Sequence, residues 1–437
     1  MKRKESILIK NISELVTCSG FTAKKGSRMA DLSIIEGGAV LIEEGIIVAV
    51  GKNAEILDRY GAKDPKPEAF SVIDAEGKAV LPGFVDSHTH FCFGGYRDEE
   101  YAWRLRGDSY MEIMARGGGI FSTVRKTRAT DKNALVESGM KRLDSMLSFG
   151  VTTVEGKSGY GLDLETEIRQ LEAMETIDNR HPVDVVRTFL GAHAVAPEYK
   201  GRSDEFIDFI IEKVLPVVAE RKLAEFCDVF CEKDVFSVEQ ARRLQEKALA
   251  LGLVPTLHAD EIAPTGGAEL AASLCAVSAD HLLQASDAGI AALAAKNVVA
   301  TLLPATAFSL KEPYARARQM IDSGCAVALA TDFNPGSCFT ESIPLIIALA
   351  TLQMGITPEE AITALTLNGA AAIGRADRIG SIDVGKQGDL IILDAPSYRF
   401  IPYHLGVSTV DRVVKDGVLV FDKGDGVIRN RCAFQAS

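Results

Sequence analysis

The sequence predicts an α/β fold: a (β/α)8 barrel of the TIM type with a small β-sandwich domain formed by the N- and C-terminal segments. Three observations carry this. Both ends of the chain are rich in short β-type runs and poor in helical patterns, and the middle alternates apolar strand-like runs with helical stretches. Five of the seven histidines also fall at the ends of those middle runs.

Near the N-terminus, residues 32–35, 39–42 and 46–50 read as strands, the last after the Glu43-Glu44-Gly45 turn, and 72–74 and 79–81 follow. The C-terminal end repeats the style, with an apolar strand at 389–393 and a hairpin at 412–421 around Asp416-Gly417. Neither end alone has enough strands to bury a face, so the two are expected to pair. Between them the candidate strands are 84–86, 151–155, 185–190, 226–230, 253–257, 276–279, 298–303 and 326–330. Helix starts punctuate the series: Ser237-Val-Glu-Gln240 is a capping box, and Thr357-Pro358-Glu-Glu360 places proline in the first turn with Glu360 three after the cap. From His88 to Asp332 the seven intervals average about 35 residues, which suits βα units with some long loops. An open doubly wound sheet would show a glycine-rich dinucleotide turn after its first strand, and none is present. The expected limits are 1–81 and 376–437 for the two parts of the sandwich and 82–375 for the barrel.

Composition narrows the function. The 437 residues are 47% hydrophobic and 25% charged, as in a globular protein, and the net charge of -12 argues against nucleic acid as a partner. The first 30 residues lack a signal-peptide core because Lys10, Asn11 and Glu14 interrupt the apolar run, and no stretch reaches the roughly 18 apolar residues of a membrane span. A cytoplasmic protein with no membrane partner is expected. The eight cysteines contain no C-x-x-C pair and read as reduced thiols; Cys227 and Cys231 lack a second pair to complete a metal half-site. Residues 150–158 imitate a phosphate-binding loop, but five β-branched or strand-type residues separate the glycines where the motif needs four.

The chemistry lies at the strand ends, the face on which α/β barrels place their catalytic groups. Asp86-Ser-His88-Thr-His90 sets two imidazoles on alternate positions of a strand, so both face one side and can share an ion. His258 ends the fifth strand and Asp332 the eighth, adding a nitrogen and an oxygen. Three neutral imidazoles and a carboxylate suit one transition metal ion per chain, zinc or iron, with manganese as an alternative. Glu261 lies three residues beyond His258, and His281 ends the next strand, so proton transfer is assigned to Glu261 with His281 and a share left to Asp332. The bland alternatives are a Glu261 ion pair and a buried, carbonyl-bonded His281. Lys233 lies past the end of the fourth strand, which disfavours a carboxylated lysine bridging two metals. His181 and His404 lack strand-end positions and are expected to be structural.

This order of ligands within a terminal β frame resembles the amidohydrolase superfamily. Within it, 93–100, 117–125, 157–167, Gly191-Ala-His193, 229–233, His258-Ala-Asp-Glu261 and 331–337 are similar to the imidazolonepropionase family. The resemblance implies metal ligands His88, His90, His258 and Asp332, and substrate contacts at Arg97, Tyr160, His193, Glu261, Asn334, Gly336 and Ser337. It implies hydrolytic ring opening of 4-imidazolone-5-propanoate to N-formimino-L-glutamate, with Arg97 holding the carboxylate tail, and Tyr160 and His193 donating hydrogen bonds to the ring oxygen or the tail. A homodimer is compatible with it. The rival reading is a metal-dependent aminohydrolase, a deaminase of a nucleobase-like ring; a neutral base, however, needs no carboxylate clamp. A non-catalytic scaffold on the same barrel has no use for four converging ligands.

Overall fold

The computed structural model describes residues 6–61, 70–108, 112–113, 116–424 and 427–428, which form two sheets. The first joins β1 (Ser6–Val16), β2 (Ile34–Glu43), β3 (Ile46–Lys52), β4 (Phe70–Asp74) and β5 (Val80–Pro82) to β14 (Leu390–Leu393), β15 (Val410–Lys415), β16 (Val418–Asp422) and β17 (Val427–Ile428). The two ends of the chain meet where β5 and β14 run antiparallel, Leu390 opposite Pro82 and Ile392 opposite Val80. Side-chain alternation then divides the strand between two cores. Leu390 and Ile392 pack with Ile7, Ile9, Val40 and Ile42 inside the sheet's own fold, whereas Ile391 and Leu393 join the barrel core.

Two features of this sheet differ from the sequence reading. The interrupted run at the N-terminus is an eleven-residue strand, β1, which pairs with both β2 and β4. A bulge between Ile9 and Ile12, with Asn11 at φ +56°, resets the alternation that Lys10 and Asn11 break in the sequence. The expected strands 32–35 and 39–42 are one strand, β2, with Gly38 inside it. A Cβ there would stand 2.7 Å from Cβ of Leu15, so the close approach of β1 requires glycine.

The second sheet is the barrel: β6 (Phe84–Asp86), β7 (Val151–Lys157), β8 (Asp184–Ala192), β9 (Phe226–Cys231), β10 (Val254–Ala259), β11 (Ser278–His281), β12 (Val299–Leu302) and β13 (Val327–Leu329), each parallel to the next. Every strand expected from the sequence is present. Between its first and last strands the backbone closes just beyond their ends, where the Asp332 amide donates to the His88 carbonyl (3.0 Å) and the His90 amide to that of Phe333 (2.9 Å). Closure therefore sets Asp332 beside the two histidines of the first strand. Both expected capping boxes form, starting the helices Val238–Ala250 and Pro358–Leu365. Gly156 is explained by packing: a Cβ would meet Met174 and Phe91 at 2.6 Å.

The terminal sheet is tied to the barrel by charge as well as by apolar packing. Lys415 Nζ, buried, lies 2.8 Å from Asp184 at the start of β8, 3.0 Å from Asp389 and 3.3 Å from Asp416. No helix among the described residues is long and apolar enough to cross a membrane. Of the cysteines described, all are free thiols and only Cys275 is exposed.

Candidate metal centre and active site

β6 ends at Asp86, whose carboxylate accepts the amide and hydroxyl of Thr331 (2.9 and 2.6 Å), locking the first strand to the loop that carries Asp332. The chain continues extended, so His88 and His90 face inward while Thr89 turns away to donate to the Glu155 carbonyl (2.6 Å). His88 Nδ1 lies 2.7 Å from Asp280, and His258 Nδ1 lies 2.8 Å from Asp228. A carboxylate accepts only, so both Nδ1 atoms are the N–H donors, and each Nε2 presents a lone pair to the centre.

Those lone pairs converge. His258 Nε2 and His90 Nε2 are 3.4 Å apart, and Asp332 Oδ1 lies 3.6 Å from Nε2 of both His88 and His90. His88 Nε2 is buried with no hydrogen-bond partner among the described residues. Bonds of about 2.1 Å arranged tetrahedrally put neighbouring donor atoms about 3.4 Å apart, so the spacing fits a transition metal ion and is too crowded for facing lone pairs alone. Burial holds His88 and His90 well below the ordinary imidazole value, in the neutral form a metal requires. Burial also lowers His258, but Asp228 outweighs it and carries the value up. Asp332, at φ +50°, keeps its orientation through the Thr306 hydroxyl, which donates to Oδ2 at 2.6 Å.

All the expected site residues except His88 line one cavity of about 1960 Å³ at the C-terminal ends of the barrel strands; His88 lies beneath its floor. Glu261 sits on a loop strapped from below. Glu232 accepts the amides of Lys233, Ile262 and Ala263, and Asp260 accepts those of Thr265, Gly266, Gly267 and Ala268. Glu261 Oε1 comes to 3.6 Å from His281 Nδ1, which has no bonded partner among the described residues. Burial, with the Asp332 charge adding to it, pushes Glu261 up to about 8, and burial raises Asp332 to about 6. Acidic groups held against their ordinary ionisation in one closed space are what a cation relieves.

Arg97 reaches the same cavity. Glu100 Oε2 accepts its Nε at 2.9 Å and pairs with Nη2 at 2.8 Å, and also accepts the Gly119 amide at 3.0 Å. That contact uses the Nε/Nη2 edge of the guanidinium, and among the described residues no hydrogen bond is made by Nη1. Tyr160 rides on a loop whose amides at Gly159, Gly161 and Leu162 all donate to Glu167.

Two expected roles change with the geometry. His193 stacks on His90, with centroids 5.0 Å apart and planes at 16°, and its Nδ1 donates to the Gly159 carbonyl at 3.1 Å. Burial lowers its value to about 3, so the ring is neutral and Nε2 accepts a hydrogen bond instead of donating one. Asn334 lines the cavity, but its Oδ1 accepts the amides of Gly336 and Ser337 while its Nδ2 donates to the Asp332 carbonyl and the Ser337 hydroxyl. Its amide shapes the loop that carries Asp332.

Asp228, Asp280 and Glu100, which contact His258, His88 and Arg97, are residues that the sequence reading missed. The available signal was a carboxylate inside a buried strand, at Asp228 and Asp280, with no surface to justify it. His181, as expected, is structural: Nδ1 accepts the Val183 amide and Nε2 faces Asp144.

Comparison with known proteins gives concordant results. The family model described as Amidohydrolase family matches residues 71–120 and 114–421. An imidazolonepropionase of Clostridium tetani is 60% identical over 421 residues, 96% of this chain and 99% of its own length. One of Parabacteroides distasonis is 60% identical, with 94% and 98% covered. Among solved structures, an adenosine deaminase from Xanthomonas campestris with bound zinc aligns at a TM-score of 0.67 and 19% identity, covering 98% of this chain and 96% of its own. Triazine hydrolase from Arthobacter aurescens aligns at 0.72 and 17%, covering 99% and 98%. At those identities the likeness is one of fold.

Proposed function

This chain belongs to the amidohydrolase family and, within it, to the imidazolonepropionases, and on that premise we propose how its own residues open the ring of 4-imidazolone-5-propanoate. The enzyme is a hydrolase of a cyclic amide C–N bond, and the product is N-formimino-L-glutamate. The observation that carries the reading is one cavity with the Arg97 guanidinium on its wall and four converging side-chain nitrogen and oxygen atoms at its floor or, for His88, just beneath it.

His88, His90, His258 and Asp332 hold the ion, which is zinc or iron, with manganese as the alternative. The chemistry supplied by such an ion is a water acidic enough to lose its proton near neutral pH and a polarised ring carbonyl. The Nη1/Nη2 edge of Arg97 takes the propionate tail bidentately, and Glu100 fixes the direction of that edge. Tyr160 donates its hydroxyl proton to the substrate, and His193 accepts from a ring N–H. Ser337 and the Gly336 backbone complete the wall beside Arg97. Glu261 takes the proton of the attacking water as oxygen adds to the ring carbonyl carbon. His281, neutral because of burial and next to Glu261, relays to the ring nitrogen the proton that Glu261 has taken, as the C–N bond breaks, so that Glu261 returns to its carboxylate form. Asp332 shares the proton transfer. The protein acts in the cytoplasm on a small molecule.

The deciding assay sets imidazolone propionate beside a tail-less imidazolone and purine and pyrimidine bases. Ring opening of the propionate substrate, with no ammonia released from the bases, is expected. Ammonia release from a base with no ring opening would move the chain to the deaminases.

A further inference from the structure

Behind the ligand atoms lies a buried charge cluster that the mechanism above leaves unused. Lys157, the last residue of β7, has a fully buried side chain. Its Nζ lies 2.7 Å from Asp228 Oδ2, 3.0 Å from Glu155 Oε1 and 3.3 Å from Asp280 Oδ2. Two of those oxygens are the ones that face the ligand histidines: Asp228 Oδ2 at 2.8 Å from His258 Nδ1 and Asp280 Oδ2 at 2.7 Å from His88 Nδ1. One ammonium thus touches, through one carboxylate oxygen each, the backs of two imidazoles that come from different strands.

The cluster is built for a cation. His88, Glu155 and Asp280 offer ligand atoms within 4.8 Å of one another, a grouping that by itself resembles a second ion site. The Lys157 ammonium already occupies it, on the Glu155 and Asp280 side. With that charge in place, three carboxylates that would repel one another in a closed, low-dielectric space are drawn to a common point. Without it they splay, and the two aspartates leave the Nδ1 atoms that they orient. Glu155 Oε1, the oxygen that faces Lys157, also accepts the Thr188 hydroxyl, which fixes this member of the cluster to β8.

We propose that Lys157 is a positioning residue that serves as the fixed cation of the metal centre: it holds Asp228 and Asp280 against Nδ1 of His258 and His88, and so keeps Nε2 of both rings aimed at the ion. The same ammonium takes the place of a second metal ion and makes the centre mononuclear. The inference rests on the reading of His88, His90, His258 and Asp332 as the ligands.

The test measures the zinc dissociation constant by chelator competition, and the melting temperature with and without zinc, in wild type, His258→Ala and Lys157→Met. A wild type that binds no zinc, or a His258→Ala protein that binds it with unchanged affinity, overturns the centre itself. With both controls as expected, Lys157→Met is expected to weaken zinc binding ten- to a hundredfold, the range for losing an outer partner of a metal ligand. The stabilisation given by zinc should shrink to match. A purely structural lysine lowers both melting temperatures and leaves the dissociation constant alone. Should Lys157→Met fail to fold, the pair Lys157→Met with Glu155→Gln removes one charge of each sign, and the same weakening is expected. A folded variant of either kind whose affinity falls less than tenfold overturns the proposal.

Discussion

The guanidinium of Arg97 lies directly over the α-carbon of Gly336: a Cβ added there would stand 2.1 Å from Nη1 and 2.8 Å from Cζ. Glycine is needed at 336 for this approach, so the loop after the last barrel strand forms the floor for the arginine of the first loop. Gly336→Ala pushes aside only the end of a flexible side chain, so the melting temperature should hold. The fork, however, is displaced by about an ångström, and a misplacement of that size costs roughly 100-fold in kcat/KM for the propionate substrate. Kinetics on a tail-less imidazolone should change little. Equal losses on both substrates would contradict the role of the contact.

Arg97→Lys keeps the charge and loses the planar fork. It should lower kcat/KM for the propionate substrate far more than for the tail-less ring. Removing the anchor with Glu100→Gln should act in the same direction through KM, since Nε and Nη2 then lose the carboxylate that fixes them. Steady-state kinetics on the two substrates checks both variants.

Glu261→Gln retains shape and removes the proton acceptor. Turnover should fall by roughly 10²- to 10⁴-fold, the usual range for a general base, with metal content and melting temperature kept. The bland alternative, a carboxylate serving stability, requires a lower melting temperature with kcat largely intact. Near-normal kcat at full metal occupancy would falsify the assignment and move the base to His281 or Asp332.

The barrel was legible because each buried parallel strand writes a short apolar run, and the proposed ligands could be chosen because histidines are few and stand at the ends of those runs. What escaped the sequence is what depends on partners distant in the chain. Asp280 acquires its meaning from His88, 192 positions away, and Lys157 from Asp280, 123 positions away. β1 escaped for a local reason, since the bulge at Asn11 breaks the period-two pattern by which a strand is recognised. His193 was placed correctly in the cavity, but its direction as donor or acceptor depends on a carbonyl at Gly159 that the sequence does not reveal.

Lys415 joins the terminal sheet to the barrel through Asp184, Asp389 and Asp416. Burial works against its charge, yet the carboxylates of Asp389 and Asp416 outweigh burial and raise its value. Lys415→Met takes the buried cation away from the buried Asp389 carboxylate and should cost about 3–5 kcal/mol, the usual range for breaking a buried pair. Denaturant unfolding checks this, and kcat of the folded fraction should stay near that of wild type.

One ion, held by His88, His90, His258 and Asp332, should be required for ring opening. Elemental analysis of the purified protein, paired with turnover of imidazolone propionate before and after chelation, checks this. About one transition metal ion per chain is expected, lost together with activity and restored with it on adding the metal back. Two ions per chain, or full turnover in protein stripped of metal, would contradict it.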